Sequence, residues 1–172
     1  MNSFAWLDSR VQQAADRLAL HPAHERAEAN KYTRYTALKD RNLAPFEWGG
    51  QGVELHDFTA AMNARPERMQ STLGALATGA WADASLAGDY GLVVLHLNES
   101  GPALRFKLNG LGQGFSAPRL VILTEPNVER VVEIELSDAY DDHHLNLVIE
   151  ADLAAASQVD MTILQDKRGS GL

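Results

Sequence analysis

The feature that most constrains this chain is a series of short apolar runs in its second half. Six follow Gly91: "LVVLHL" (92–97), "LRFKL" (104–108), "RLVIL" (119–123), "RVVEIEL" (130–136), "HLNLVIE" (144–150) and "VDMTIL" (159–164). Their starts lie 12, 15, 11, 14 and 15 residues apart. Several alternate, as in Leu104, Phe106 and Leu108 against Arg105 and Lys107. The linkers "NESGP", "NGLGQGFSAP", "TEPN", "SDAYDD" and "ADLAAAS" are too short for crossover helices. This half is therefore all-β.

Two architectures suit strands at that spacing: an antiparallel sandwich or roll, and a β-solenoid in which each coil lies on its predecessor. Only "TEPN" and "NESGP" read as tight turns. The other linkers carry apolar residues such as Phe115 and Leu153, fit for corners with a buried side, which favours the solenoid slightly. The residues alone leave both open.

The first half reads as mainly helical. In "SFAWLDSRVQQAADRLAL", Leu7, Val11, Ala14 and Leu18 form a helical stripe, with Ser3 placed to cap it. His21-Pro22 ends that stripe, because proline disfavours helix at the residue before it. The mixed segment that follows is locally basic at Lys31, Arg34, Lys39 and Arg41, a solvated face. "APFEWGGQG" reads as a turn-rich connector. Asp57 is placed to cap "FTAAMNA", and Pro66 to open a second helix carrying Leu73 and Leu76 on its apolar face. "GAWADASLAGDYG" leads out of it.

The formal net charge is −8, which argues against nucleic-acid binding and against docking on an anionic membrane. With 45% hydrophobic residues the chain is globular. It has no cysteine, which excludes disulfides, Cys-ligated zinc and thiolate chemistry within the chain. The start "MNSFAWLDSRVQQ" shows no secretory signal, and no run approaches a membrane span. A cytoplasmic location is the expectation.

The motifs that suggest chemistry each have a plainer explanation. Gly110, Gly112 and Gly114 spell G-x-G-x-G, but Pro118 and a β-type run follow where a dinucleotide site needs a helix. A turn is expected, with glycine admitting positive φ at a corner. Asp138, Asp141, Asp142, His143 and His144 could offer metal ligands. Adjacent histidines on a strand face opposite ways, however, and a solvated acidic turn is expected. His96 alternates with apolar neighbours. Glu133 and Glu135 share one face of a strand, as paired carboxylates of a polysaccharide-cleaving β-helix would, but the expectation is that they form the polar face opposite Val132, Ile134 and Leu136. No catalytic residue, cofactor-binding residue or metal ligand is assigned.

Several stretches together resemble the SufB/SufD family of iron–sulfur cluster assembly scaffolds, and the SufD side of it in particular. "RAEANKYT" (26–33) is similar to the family's R-x-E-x-W-K-Y-T segment at Arg26, Glu28, Lys31, Tyr32 and Thr33, with Asn30 in place of the tryptophan. "GVELHDFTAAMNARPERMQSTLG" (52–74) resembles its short strand, helix, H-P-E-L and second helix, with Pro66-Glu67 in the matching place. "LRFKLNGLGQGFSAPRLVILTEPNVERVVEIEL" (104–136) resembles its first β-coils. "LNLVIEADLAAASQVDMTILQD" (145–166) resembles a later coil, with Asn146, Ala156 and Gln165 on the pattern. "WADASLAG" is shorter than its counterpart.

The resemblance implies an α+β chain. A helical region (1–87) precedes the first coils of a β-solenoid, or parallel β-helix (88–165), and a polar tail (166–172). It implies a non-catalytic scaffold, a SufD-like N-terminal half, with SufB-like and SufC-like partners for the full-length family member. Cluster and ATP would be handled by parts or partners outside this chain. An uncapped last coil would be covered by a partner, a second copy or the rest of a longer protein. The rival functions are a carbohydrate-acting β-helix enzyme using Asp138, Asp141 or Asp142, and a small-molecule or metal-binding all-β domain using His96, His143 or His144.

Overall fold

A computed structural model describes residues 5–20, 44, 46–51, 56–57, 64–75, 80–87, 92–138 and 143–167. The basic segment, the Ser3 cap, Leu76, Asp141, Asp142 and most of the tail lie outside the described residues.

The fold is mixed α+β, with strands predominating. Three helices are described: α1 (Ala5–Leu20), α2 (Pro66–Thr72) and α3 (Ala80–Ala87). The strands are β1 (Phe46–Gln51), β2 (His56–Asp57), β3 (Leu92–Leu97), β4 (Leu104–Gly110), β5 (Gly114–Ser116), β6 (Arg119–Thr124), β7 (Glu129–Asp138), β8 (His143–Leu145), β9 (Val148–Asp152) and β10 (Gln158–Lys167). They form sheets ordered β1-β4-β7-β10, β2-β3-β6-β9 and β5-β8, and close no barrel.

From β3 onward every described pairing is parallel and skips two strands. Leu92 lies beside Arg119 and Arg119 beside Val148, 27 and 29 residues on. Leu104 lies beside Val132, and Glu129 beside Gln158. Gly114 lies beside His143. Between β3 and β10 no two consecutive strands pair, so the antiparallel hairpins of a sandwich or roll do not form among them; β3 carries β2 on its other edge, antiparallel. The corners also stack: Asn127 donates its amide to Ala155, Asn146 to Ser116 and Val148 to Pro118. "TEPN" is the tight turn it was expected to be, with Asn127 at φ 62°, a left-handed conformation that asparagine tolerates.

The alternation in β4 and β7 faces Phe106, Val132 and Ile134 inward, onto Leu95, Leu97, Leu120 and Ile122 of the second sheet. That second sheet is covered on its other side as well. Val94, Val121 and Leu123 pack there against Ala14, Met69, Leu73 and Leu86 of the helical layer. Two covered faces explain why β6 is buried at every position and reads as an unbroken apolar run, whereas β4 alternates. The stripe expected on α1 is the one used: Ala14 is in this core, Leu7 and Val11 pack on it, and Leu18 packs beside Ala84 and Phe115.

Pro66 sits in the first turn of α2 as expected. Three local readings change. "APFEWGGQG" supplies β1, antiparallel to β4, instead of a connector. Its glycines suggested a turn, but Gly50 lies within the strand, where a Cβ would make a tight contact of 3.3 Å with the Phe106 ring and the Arg105 carbonyl. Asp57 lies in β2 opposite Val93; the helix it was expected to cap falls outside the described residues. "GAWADASLAGDYG" contains α3, whose residues 82–86 are all buried. A helix buried all round has no amphipathic period to betray it.

Candidate binding site

The covered outer face of the second sheet carries two charged residues among its apolar ones. Strand alternation places Arg119 and Glu150 on the same face as Val121 and Leu123, beneath the helices. Both are 2% exposed. Arg119 Nη1 donates to Glu150 Oε2, and Nη2 donates to the Ala82 carbonyl of α3 at 2.7 Å. Glu150 Oε2 also accepts the Gly74 amide at 2.8 Å. The pair thus joins β6, β9, the end of α2 and α3. One donor is left over: Arg119 Nε is buried with no acceptor among the described residues. An unsatisfied buried donor of this kind costs about 1–3 kcal/mol.

Arg119 also lines a cavity of about 350 Å³ between α1, α3 and β3. Leu7, Val11, Leu86 and Leu92 give it apolar walls, and the exposed Asp8 of α1 also lines it. Ser85 lines it too, but its hydroxyl donates to the Ala117 carbonyl at 2.8 Å. The cavity is a mainly apolar space with the Arg119 side chain among its walls.

A second polar cluster lies where α2 meets the sheet. Glu125 Oε1 accepts from Arg65 Nη2 at 2.6 Å and bonds His96 Nε2 at 2.9 Å. Those two hydrogen bonds, Arg65 first and His96 second, hold the Glu125 carboxyl below the usual carboxylate range. Arg68 reaches the Asp152 carboxylate at 2.6 Å and the Thr124 carbonyl at 2.7 Å. His96 is therefore part of an ion-paired clasp between helix and sheet.

The remaining sequence candidates divide as follows. Glu133 and Glu135 face solvent and pair across the ladder with Arg105 at 2.5 Å and Lys107 at 2.7 Å. They form the polar outer face of the first sheet. His143 is fully buried, and its Nε2 lies 2.9 Å from Ser116 Oγ. Ser116 Oγ is in turn 2.6 Å from the Ala44 carbonyl. His143 thus belongs to an interior network and not to an acidic turn. Asp138 ends β7, opposite Gly110 and Lys167. Of the acidic and histidine cluster, only His143 has a described side chain. Among the described residues no group of three or more His, Asp or Glu side chains is placed to share a metal.

The glycine segment is a strand, a bend and a second strand. Gly114 has φ 129°, the positive value expected of a corner glycine. Gly110 serves a different purpose: a Cβ there would fall inside the His143 imidazole.

Arg119 and Glu150 escaped the sequence reading. The available signal was a pair of opposite charges inside otherwise apolar runs, 31 residues apart. No protein-family model matches the chain, and no curated protein and no solved structure matches it. Among the described residues no helix is long and apolar enough to cross a membrane.

Proposed function

We propose that this chain is a SufD-like, non-catalytic scaffold component of SUF-type iron–sulfur cluster assembly, and that its parallel ladders from β3 onward are the first coils of a β-solenoid. The observation that carries the reading is the pairing register. Leu92, Arg119 and Val148 follow one another in one sheet, as Leu104, Val132 and Met161 do in another. Each circuit of 27 to 29 residues returns the chain to the same sheet, one strand on. The helical layer packed on one outer side agrees with the order of segments on which the family resemblance rests.

In this reading the protein works by shape. Stacked coils fix side chains at regular intervals, and partners dock on the stack. The chain holds no cluster, because it has no thiolate to ligate one. Cluster and ATP belong to a SufB-like and a SufC-like partner in the cytoplasm. The last strand is suited to association. Met161 and Ile163 continue the inward rows of Val132 and Ile134, yet are 37% and 48% exposed. A further rung, a partner or a second copy would cover them.

The test is purification of the protein tagged at its own chromosomal locus. Co-elution with a SufC-like ATPase and a SufB-like protein, and lowered iron–sulfur enzyme activities when the locus is deleted, are the expected results. A tagged product that elutes without an ATPase, from a strain whose deletion leaves those activities intact, would overturn the proposal.

A further inference from the structure

We infer that the cavity between α1, α3 and β3 is a binding site for a small, uncharged, apolar molecule, an aliphatic or aromatic hydrocarbon in chemical character. The inference is independent of the scaffold reading. Two observations carry it: the space is held open, and each buried polar residue in its walls already has a protein partner. The volume, about 350 Å³, is at the lower end of small-ligand sites, which run from roughly 300 to 1,000 Å³. The helical elements around it are tied to one another by polar contacts. Arg10 of α1 donates from Nη1 to the carbonyls of Gln70 and Leu73, both at 2.6 Å, at the end of α2. Arg17, further along α1, pairs with Asp83 of α3 at 2.5 Å. Leu86 of α3 is seated against Gly74, where its Cδ2 would lie 2.7 Å from an added Cβ. Helix α1 cannot settle into the space without breaking its ties, so the site exists before a ligand arrives.

The walls decide the class of ligand. Leu7, Val11, Leu73, Leu86 and Leu92 present aliphatic surface. The two buried polar residues among them are engaged elsewhere. The Ser85 hydroxyl donates to the Ala117 carbonyl, and the terminal nitrogens of Arg119 donate to Glu150 and to the Ala82 carbonyl. Arg119 Nε is buried too deeply to meet a ligand. Glu150 neutralises Arg119, which therefore holds no surplus charge for an anion. Asp8 is exposed, and water weakens its attraction for a cation. A charged molecule would lose hydration here without replacement, whereas an apolar one gains by leaving water. Apolar cavities of even roughly 150 Å³ take up benzene or xenon.

The experiment uses three probes of similar size on the full chain, followed by amide chemical shifts. Ethylbenzene is apolar, benzoate carries a negative charge and benzylamine a positive one. Saturable shifts localised around Val11, Leu86 and Leu92 are expected with ethylbenzene. Benzoate and benzylamine are each expected to bind at least about tenfold more weakly, since neither finds a buried partner for its charge. Val11→Trp fills the cavity from α1 and abolishes the shifts; Leu7→Trp does the same if the first variant does not fold. Absence of saturable shifts up to the solubility of ethylbenzene overturns the site. Benzoate or benzylamine binding as tightly as ethylbenzene overturns the ligand class, and undiminished ethylbenzene binding in a folded cavity-filling variant overturns the location.

Discussion

The imidazole of His143 occupies the position that a side chain at residue 110 would need. Gly110 ends β4 and His143 opens β8, and a Cβ on Gly110 would fall within the ring. The ring cannot swing aside, because it is fully buried and its Nε2 lies against Ser116 Oγ. Gly110→Ala is therefore expected to destabilise the protein by about 1–3 kcal/mol, as forced overpacking does, measured by urea unfolding. His143→Ala alone leaves a cavity and is also destabilising. The double variant should be more stable than the sum of the two losses implies, because the second change removes the obstacle created by the first. Strict additivity would show that the two residues do not compete for space.

Arg119 and Glu150 are expected to behave as a buried pair whose halves depend on each other. Glu150→Ala leaves the guanidinium uncompensated under the helices and frees the Gly74 amide. A loss of about 3–5 kcal/mol is expected, read from the midpoint of denaturant unfolding. Replacing both residues with apolar ones of similar volume, Arg119→Met with Glu150→Leu, should cost much less than either half removed alone. If the single and double variants were equally damaged, the pair would not be the junction of helices and sheet described above.

These two relationships mark the limit of what the sequence made legible. The strand-forming half was readable because short apolar runs between short linkers leave few alternatives. The stripe of Leu7, Val11, Ala14 and Leu18 was readable because α1 has one wet face. Legibility failed where burial is two-sided or where a residue is chosen for its absence of bulk. Residues 82–86 of α3 show no period, since every side is covered. Gly110 looks like a turn residue, but it makes room for the ring of His143 from another strand. Arg119 and Glu150 are separated by 31 residues and meet only because of the pairing register.

The Glu125 clasp gives the protein a predictable acid response. Arg65 and then His96 hold the Glu125 carboxyl below its ordinary range in the folded state. Its stabilising contribution is therefore complete above the unfolded carboxylate value of about 4.3, and is lost as the pH falls through the lower folded value. Glu125→Gln should flatten the dependence of melting temperature on pH below about 4.3. The effect should be modest and should shrink as salt is added, because the cluster is partly exposed. A variant with an unchanged acid limb would show that the clasp contributes nothing to folding.

The paired charges on the outer face of the first sheet are expected to matter little. Arg105 and Glu133, like Lys107 and Glu135, meet across the ladder in solvent. Glu133→Gln and Glu135→Gln should each change stability by no more than about 1 kcal/mol, less at high salt. A much larger loss in thermal unfolding would mean that these carboxylates do something other than cover an outward face.

Ile134 and Ile163 give the sharpest comparison, because they are register neighbours with opposite surroundings. Ile134 is fully buried between the sheets, whereas Ile163, beside it on β10, is 48% exposed. Ile134→Ala should cost about 2–5 kcal/mol, the loss of a buried side chain plus the cavity left behind. Ile163→Ala should cost less than about 1 kcal/mol when unfolding is followed at low protein concentration, since that side chain is already half in water. If β10 is the surface on which other chains settle, Ile163 should matter for association instead. Ile163→Lys should then leave the melting temperature of the dilute protein nearly unchanged, while abolishing any concentration-dependent increase in sedimentation coefficient. A lysine that left such association undiminished would move the docking surface elsewhere. An alanine as damaging at 163 as at 134 would mean that the row of Ile134 and Ile163 continues into a covered interior even in the dilute protein.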